Sequence, residues 1–535
     1  MATMKAAEAL VAALRSEGVD TVFGIISIHM LEVYDAIGRR GDVRLVVPRH
    51  EQAAALMADG YARATGRVGV SLSSTGPGAA NAMGGLFEAW ASSSPVLHLT
   101  SQVPSDLLGR GKGPLHEAKD QAGMFRAVAD WVATLTEPAQ FPGAVHEAFR
   151  RLRSSRPRPV VLELPVDLQS AEIAAPADLE EPAAASRPEP PAGRVAAAAA
   201  LLTSAARPVL LAGGGVVAAD AAPELLALAE RLEAPVLTTP GGRGAFPDDH
   251  PLALGNLLTE PGVAALLAES DVLLAVGTRL SGQPTANWTV KLPARLVHVD
   301  VDPEVIGRNY PAAVALVGDA KVTLASLLAR LDGRPRSAGP SIRETVKGIR
   351  DAARQRAEAA YPFLMAAADE IRARTARDAV VVADATIPSY FAVNRLMPVY
   401  EPRTFMYPHG SNAIGPSVPL AFGAKVGRPD RQVVTVVGDG GFMLNCAELA
   451  TGVQERLGVP ILLFNDGGYG ILRRMQQRQF QGRHIGVDLH TPDFPALARA
   501  FGAEGVRVES TDAMGAELER ALGRDVPTLI EVRVP

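Results

Sequence analysis

Two acids and a scatter of histidines carry the chemistry of this sequence. The apolar run VVTVV stops at residue 437 and is followed by Gly438, Asp439, Gly440 and Gly441. Glycines let backbone N–H groups come close to a ligand, and the N-terminus of a following helix favours anions, so a phosphate suits this turn. Asp439 would repel that phosphate unless a cation lay between them. A hard divalent ion, Mg2+ or Ca2+, held by oxygen ligands meets the need. The next apolar run, VPILLF, stops at Asn465 in NDGGYG, where a side-chain amide oxygen and the carbonyl of Gly467 could complete the coordination. Standing alone, a Gly-Asp-Gly turn is more simply read as a strand-to-helix junction with a capping aspartate. The second acid is Glu51, in RHEQAAALMADGYARATG (49–66). Ala53, Leu56, Met57 and Tyr61 mark the buried stripe of a helix there, and Glu51 falls in its first turn, where the helix dipole favours a carboxylate. It could equally be a helix-terminal acid of no chemical consequence.

The elements that position these residues follow one local grammar. Short β-branched runs lead through glycine turns into longer amphipathic patterns, as in VGVSLSSTGPGAANAMGGLFEAW, PVLLAGGGVVAADAAPELLALAERL and VVTVVGDGGFMLNCAELATGVQERL. Continuous apolar strands alternating with helices indicate parallel sheets covered on both faces. At 535 residues the chain is too long for one core. Pro-, Ala- and Gly-rich stretches at 174–193 and 331–341 read as linkers. The expectation is three α/β domains, each a parallel sheet flanked by helices, at 1–173, 190–332 and 342–535. Val433–Val437 is expected to be a strand and Met443–Arg456 the helix after it. In such sheets ligands bind beyond the carboxyl ends of strands, which is where both acids fall.

Composition narrows the partners. Hydrophobic residues make up 47% and charged residues 21%, with a net charge of −5, so nothing basic invites nucleic acid or an anionic membrane. The N-terminal stretch reads as an amphipathic helix, and no apolar run is long enough to span a bilayer. The lone cysteine, Cys446, fits a reducing, cytoplasmic setting.

The spacing of the glycine turn adds a resemblance. Twenty-four residues, Gly441 to Phe464, separate Gly-Asp-Gly from Asn465. This resembles the thiamine-diphosphate signature of the superfamily that contains pyruvate decarboxylase, acetolactate synthase, benzoylformate decarboxylase and benzaldehyde lyase. The usual second asparagine is Asp466 here, a departure. The 49–66 run, STGPGAANAMGG, and the central RPVLLAGGGV, GAFPDDHPLALG and VHVDVDPEVIG extend the likeness over essentially the whole chain. The resemblance implies pyrimidine-binding, central and diphosphate-binding domains in that order, with thiamine diphosphate and Mg2+ (or Ca2+) as cofactors. It implies that Glu51 hydrogen-bonds the cofactor's pyrimidine, which leads to a nucleophilic thiazolium carbon. The cofactor would lie between the first domain of one subunit and the third of another, giving a homodimer at minimum and a homotetramer by the family's habit. In YPHGSNAIGPSVP, Ile414 matches the apolar residue that props the cofactor in a bent form, and the Asn412 carbonyl would receive its amino group where glycine is commoner. Gly438, Gly440, Gly441 and Thr386, in ADATIPSYF, would contact the diphosphate.

The substrate is less defined. His29 lies five residues after the glycine of FG, as in benzaldehyde lyase, where the matching histidine serves proton transfer; here a lining role is equally open. Ile26 and Ile28 beside it would make the pocket apolar. His116, in KGPLHEAKDQ, matches the position of an active-site glutamine and could relay protons near neutral pH. His409 is a further pocket candidate, and Ser74 stands where benzoylformate decarboxylase has a catalytic histidine. Tyr469, Ile471 and Leu472 are expected to face the substrate. The first reading is an acetolactate-synthase-like decarboxylase and carboligase of 2-oxo acids, in keeping with GRHIGVDLHTPDFPALARAFGAEGVRV near the end. The alternative is a benzaldehyde-lyase-like enzyme acting on hydroxy ketones or aldehydes. GTRLSGQPTANW gives no clear match to a flavin segment, so FAD and a flavin-linked oxidase are not expected. A non-catalytic binding protein would have no need of Glu51.

Overall fold

A computed structural model describes residues 3–176, 187–331 and 341–534. The two expected linkers, and the domain limits set at residues 1, 332 and 535, fall largely outside these. The chain divides into two compact units, one of Met1–Ser186, Pro408–Arg507 and Arg520–Glu531, the other of Arg187–Tyr407, Val508–Glu519 and Val532–Pro535.

The first sheet contains β1 (Thr21–Gly24), β2 (Arg44–Val46), β3 (Gly69–Ser73), β4 (Val96–Gln102), β5 (Trp131–Thr134) and β6 (Val160–Pro165), in the order β2-β1-β3-β4-β6-β5. Every pairing is parallel. The inner strands β1, β3, β4 and β6 are buried along their whole length, whereas the edge strands β2 and β5 are partly exposed. Burial on both faces is why the inner strands read as unbroken apolar runs. Two helices matter for the site, α1 (Glu51–Thr65) and α2 (Pro77–Ser92).

The central sheet has β7 (Pro208–Ala212), β8 (Val236–Thr238), β9 (Ala253–Gly255), β10 (Val272–Val276), β11 (Leu296–Asp300) and β12 (Val314–Val317), in the doubly wound order β9-β8-β7-β10-β11-β12. The third has β13 (Val380–Ala383), β14 (Phe405–Met406), β15 (Val433–Gly438), β16 (Pro460–Asn465), β17 (Glu504–Val508) and β18 (Thr528–Arg533), ordered β14-β13-β15-β16-β18-β17. The expectation of three parallel α/β sheets therefore holds. The first and third sheets share one strand order, which the central sheet does not.

That likeness extends to the helix after each second strand, α1 in the first case and α3 (Ser417–Gly427) in the other. Within their unit these two helices pack backbone against backbone. A Cβ placed on Gly60 would lie 2.0 Å from the Leu420 carbonyl oxygen, and one on Gly423 would lie 1.9 Å from that of Met57. The notches are reciprocal: each glycine covers the carbonyl three residues before the other. No residue with a side chain fits at either crossing.

One expected element is broken. Instead of a helix over Met443–Arg456, a single helical turn, Asp439–Met443, is separated from the helix Leu449–Gln454. Asn445 leaves helical geometry at φ −135°, and its Nδ2 donates to the Gly415 carbonyl at 2.8 Å. The interruption ties the loop before α3 to the aspartate turn.

Candidate active site

In the first sheet the strand order reverses between β1 and β3, so the segments leaving their carboxyl ends lie side by side. β1 leads to His29 and β3 to Ser74. His29 is buried, while Ile26 and Ile28 just before it are 58% and 62% exposed. His116 comes from the segment after β4, and its ring stands 5.0 Å from that of His29. Ser74 Oγ lies 3.5 Å from Nδ1 of each histidine, at the long limit of a hydrogen bond. Two histidines far apart in sequence thus form a pair bridged by a hydroxyl. Burial, and then the neighbouring His116, push the His29 pKa down, against a backbone hydrogen bond with Leu115. His29 is therefore held in its neutral form, able to accept a proton.

The pair sits on a constrained frame. His116 has φ +66°, the left-handed region that side chains avoid. Its carbonyl is packed so closely on Gly76 that a Cβ there would lie 2.3 Å away. Gln121, which the sequence reading passed over, fixes this turn. Its Oε1 accepts from Thr75 Oγ1 at 2.8 Å and from the Gly76 N–H at 2.7 Å, and its Nε2 donates to the Ser101 carbonyl and to Glu163, each at 2.9 Å. No motif flags Gln121; its one signal is an amide in a stretch otherwise destined for solvent.

Glu51 is the first residue of α1 and is half-buried. The His50 side chain caps the helix by accepting from Gln52 N–H at 3.1 Å, and the Arg49 N–H donates to the Glu448 carboxylate at 3.0 and 3.2 Å. Asn81 Nδ2 donates to Glu51 Oε2 at 3.0 Å. The other oxygen, Oε1, faces Gly78, where a Cβ would come within 3.2 Å. Glycine at 78 thus keeps one face of the carboxyl open.

The aspartate turn is in the third sheet. Asp439 is 1% exposed, and its Oδ2 has no hydrogen-bond partner. Asp466 Oδ1 is likewise buried and unpartnered. Burial, then the charge of Asp466, push Asp439 up to about 6, against backbone N–H groups at Gly440 and Asp466. Burial also raises Asp466, opposed by the charges of Arg473 and Arg474. Two of the three expected ligands are turned elsewhere. Asn465 Nδ2 donates to Glu531 Oε1 at 2.8 Å, while its Oδ1 accepts from the Gly467 N–H at 3.1 Å. The Gly467 carbonyl accepts from Arg473 Nη2 and from the Leu489 N–H, both at 3.1 Å. The adjacent residues face the turn instead: a Cβ on Gly440 would lie 2.6 Å from the Tyr469 ring and 3.5 Å from the Gly468 carbonyl.

The loop before α3 borders the same turn, since a Cβ on Gly415 would lie 3.0 Å from the Gly441 carbonyl. Asn412 has φ +52°, which gives the physical reason why glycine suits that position. Ile414 is 39% exposed, and His409 is half-buried at the head of the loop. Ser411 Oγ donates to the buried Glu88 of α2, whose carboxyl burial raises to about 7. Ile471 and Leu472 lie on the helix α4 (Gly470–Gln479), the first half-buried and the second 46% exposed. Thr386 belongs to the other unit; its N–H donates to the Asp384 carbonyl at 2.9 Å.

Family models for thiamine pyrophosphate enzymes match in three places, the N-terminal TPP-binding domain at residues 4–124, the central domain at 195–327 and the C-terminal TPP-binding domain at 389–532. The chain belongs to the thiamine pyrophosphate enzymes. It is 38% identical to a probable 2-ketoarginine decarboxylase of Pseudomonas aeruginosa, over 99% of this chain and 94% of the relative. A probable acetolactate synthase large subunit of Methanocaldococcus jannaschii is 35% identical, over 99% and 92%. The acetolactate synthase isozyme 2 large subunit of Escherichia coli is 34% identical, over 99% and 96%. These relatives favour the 2-oxo acid reading over the hydroxy-ketone alternative that His29 suggested. The residues present fit the family's cofactors: Asp439 and Asp466 offer bare carboxylate oxygens to a cation, and Gly78 leaves Glu51 accessible to a ring nitrogen. Among the described residues no helix is long and apolar enough to cross a membrane.

Proposed function

We propose that this thiamine pyrophosphate enzyme is a 2-oxo acid decarboxylase and carboligase, acetolactate-synthase-like, dependent on thiamine diphosphate and Mg2+. The observation that carries the reading is Glu51, a helix-initial carboxyl with one oxygen fixed by Asn81 and the other left open by Gly78. The chemistry that thiamine diphosphate supplies when bound is a nucleophilic thiazolium carbon and an electron sink for the bond to CO2.

The protein's own residues do the rest. Glu51 Oε1 holds a proton toward the pyrimidine nitrogen. Gly438, Gly440 and Gly441 would offer the diphosphate its contacts, and Asp439 and Asp466, with the Gly468 carbonyl beside them, would hold the cation. Ile414 and the Asn412 carbonyl support the pyrimidine end. His29, kept neutral by burial, exchanges protons with His116 through Ser74 as the substrate carbonyl gains and loses charge. Ile26, Ile28 and Leu115, the last 60% exposed, form an apolar rim around this pair. Together with Tyr469, Ile471 and Leu472 they suit a donor with an apolar side chain. Because Glu51 is only half-buried in one chain, we take the working unit to be at least a dimer, and a tetramer by family habit.

The test is a panel of 2-oxo acids, from pyruvate to longer apolar and guanidino side chains, with thiamine diphosphate and Mg2+, following CO2 and carboligated products. CO2 release with an apolar donor is expected. Cleavage of benzoin or acyloin without turnover of any 2-oxo acid would overturn the assignment.

A further inference from the structure

We infer that the Asp439–Asp466 pair is a two-carboxylate cation site that loads its divalent ion without help from the cofactor's diphosphate. The inference rests on the reading of this turn as the cation site and goes beyond it, because it turns on Asp466 standing where the resembled signature has a second asparagine. A site with one carboxylate and one amide presents a single negative charge, and much of its hold on a divalent ion must come from the diphosphate. Two carboxylates match the charge of the ion by themselves.

The geometry supports this in three ways. Asp439 is almost fully buried, and its Oδ2 finds no donor; Asp466 Oδ1 is buried and without a donor too. Leaving two such buried oxygens bare is costly unless an ion settles against them. Arg473, whose charge bears on Asp466, donates no hydrogen bond to either carboxylate. Arg473 Nε donates to Asp488 at 2.8 Å, Nη1 to the Asp466 carbonyl at 3.1 Å and Nη2 to the Gly467 carbonyl at 3.1 Å, so its hydrogen bonds go to the backbone and to another acid. Finally, the chain around the acids is held in place without the ion. Asn465 is tied to Glu531 and Glu531 to Arg507 at 2.8 Å, which fixes the end of β16 and the approach of Asp466. Such a prearranged pair selects a hard cation with a taste for oxygen ligands.

The experiment strips the full-length protein of cofactor and metal and titrates it with Mn2+, reading free ion by electron paramagnetic resonance, with and without thiamine diphosphate. Wild type is expected to bind one Mn2+ per chain in the absence of cofactor. Asp466→Asn should weaken that binding at least about tenfold, the scale of one removed charge close to the ion. With thiamine diphosphate present the difference should shrink. Asp439→Asn should lose Mn2+ binding in both conditions, and circular dichroism checks that each near-isosteric variant is folded. Equal Mn2+ affinity of wild type and Asp466→Asn without cofactor, or no binding by either, overturns the inference. If wild type with saturating Mn2+ fails to bind thiamine diphosphate, the functional reading falls instead, so the two failures are told apart.

Discussion

The first and third sheets run their strands in the same order, yet the corresponding strand ends carry opposite chemistry. After β3 stands Ser74, between two histidines, under an apolar rim; after β15 stands Asp439, buried beside a second acid. In the proposed function one end handles protons and the other charge. The difference teaches that strand order fixes where a site can be, and a few residues at the strand ends decide what it does. The central sheet, with its different order, supplies none of the residues proposed for catalysis.

The largest expected effect separates the two ends by function. Glu51→Gln should retain thiamine diphosphate but lose about 10²- to 10⁴-fold in exchange of the thiazolium C2 proton, the usual scale of general acid–base catalysis. Asp439→Asn should instead lose the cofactor itself, seen by equilibrium dialysis. If both variants lost binding equally, the division of labour would collapse. Next come the reciprocal notches. Gly60→Ala and Gly423→Ala should each destabilise the fold by about 3 kcal/mol, since a Cβ at 2.0 or 1.9 Å from a carbonyl oxygen forces the helices apart. Urea unfolding should show similar losses for the two, and a mild effect at one alone would break the reciprocity.

A smaller effect concerns pH. His29 titrates below its ordinary value, so its neutral form is favoured on folding and its stabilising contribution is present above about pH 6.5. It is lost as pH falls through the depressed folded value. Activity should fall over that same acid limb, and His29→Asn should flatten the limb while lowering turnover about tenfold or more. The smallest effect is Asn412→Gly. It should stabilise the chain by about 1 kcal/mol, because the left-handed φ of +52° costs asparagine more than glycine, and should leave cofactor affinity unchanged. Loss of affinity would show that the asparagine side chain, rather than its carbonyl, matters.

Much of the architecture was legible in the sequence because apolar runs and glycine turns are local signals. Glu51 and Asp439 stood out in the sequence, the first in the opening turn of a helix and the second in a glycine turn at a strand end. The choice between Asn465 and Asp466 could not be read there, since adjacent residues at a strand end face opposite ways and the motif does not say which faces the turn. The pairing of His29 with His116 was equally hidden, being made by the order of β1, β3 and β4 rather than by any neighbourhood in the chain. Gln121 was missed for the same reason: its partners come from three separate segments. The expected helix over Met443–Arg456 failed where Asn445 turned aside to hold Gly415.

The interlocked glycines of α1 and α3 bear on how the protein can be handled. Neither half of that joint is finished without the other, so a fragment ending before residue 408 would present a bare furrow lined with backbone oxygens and alanine methyls. Such a piece should aggregate when produced by itself, and the two halves should become soluble again only when made together.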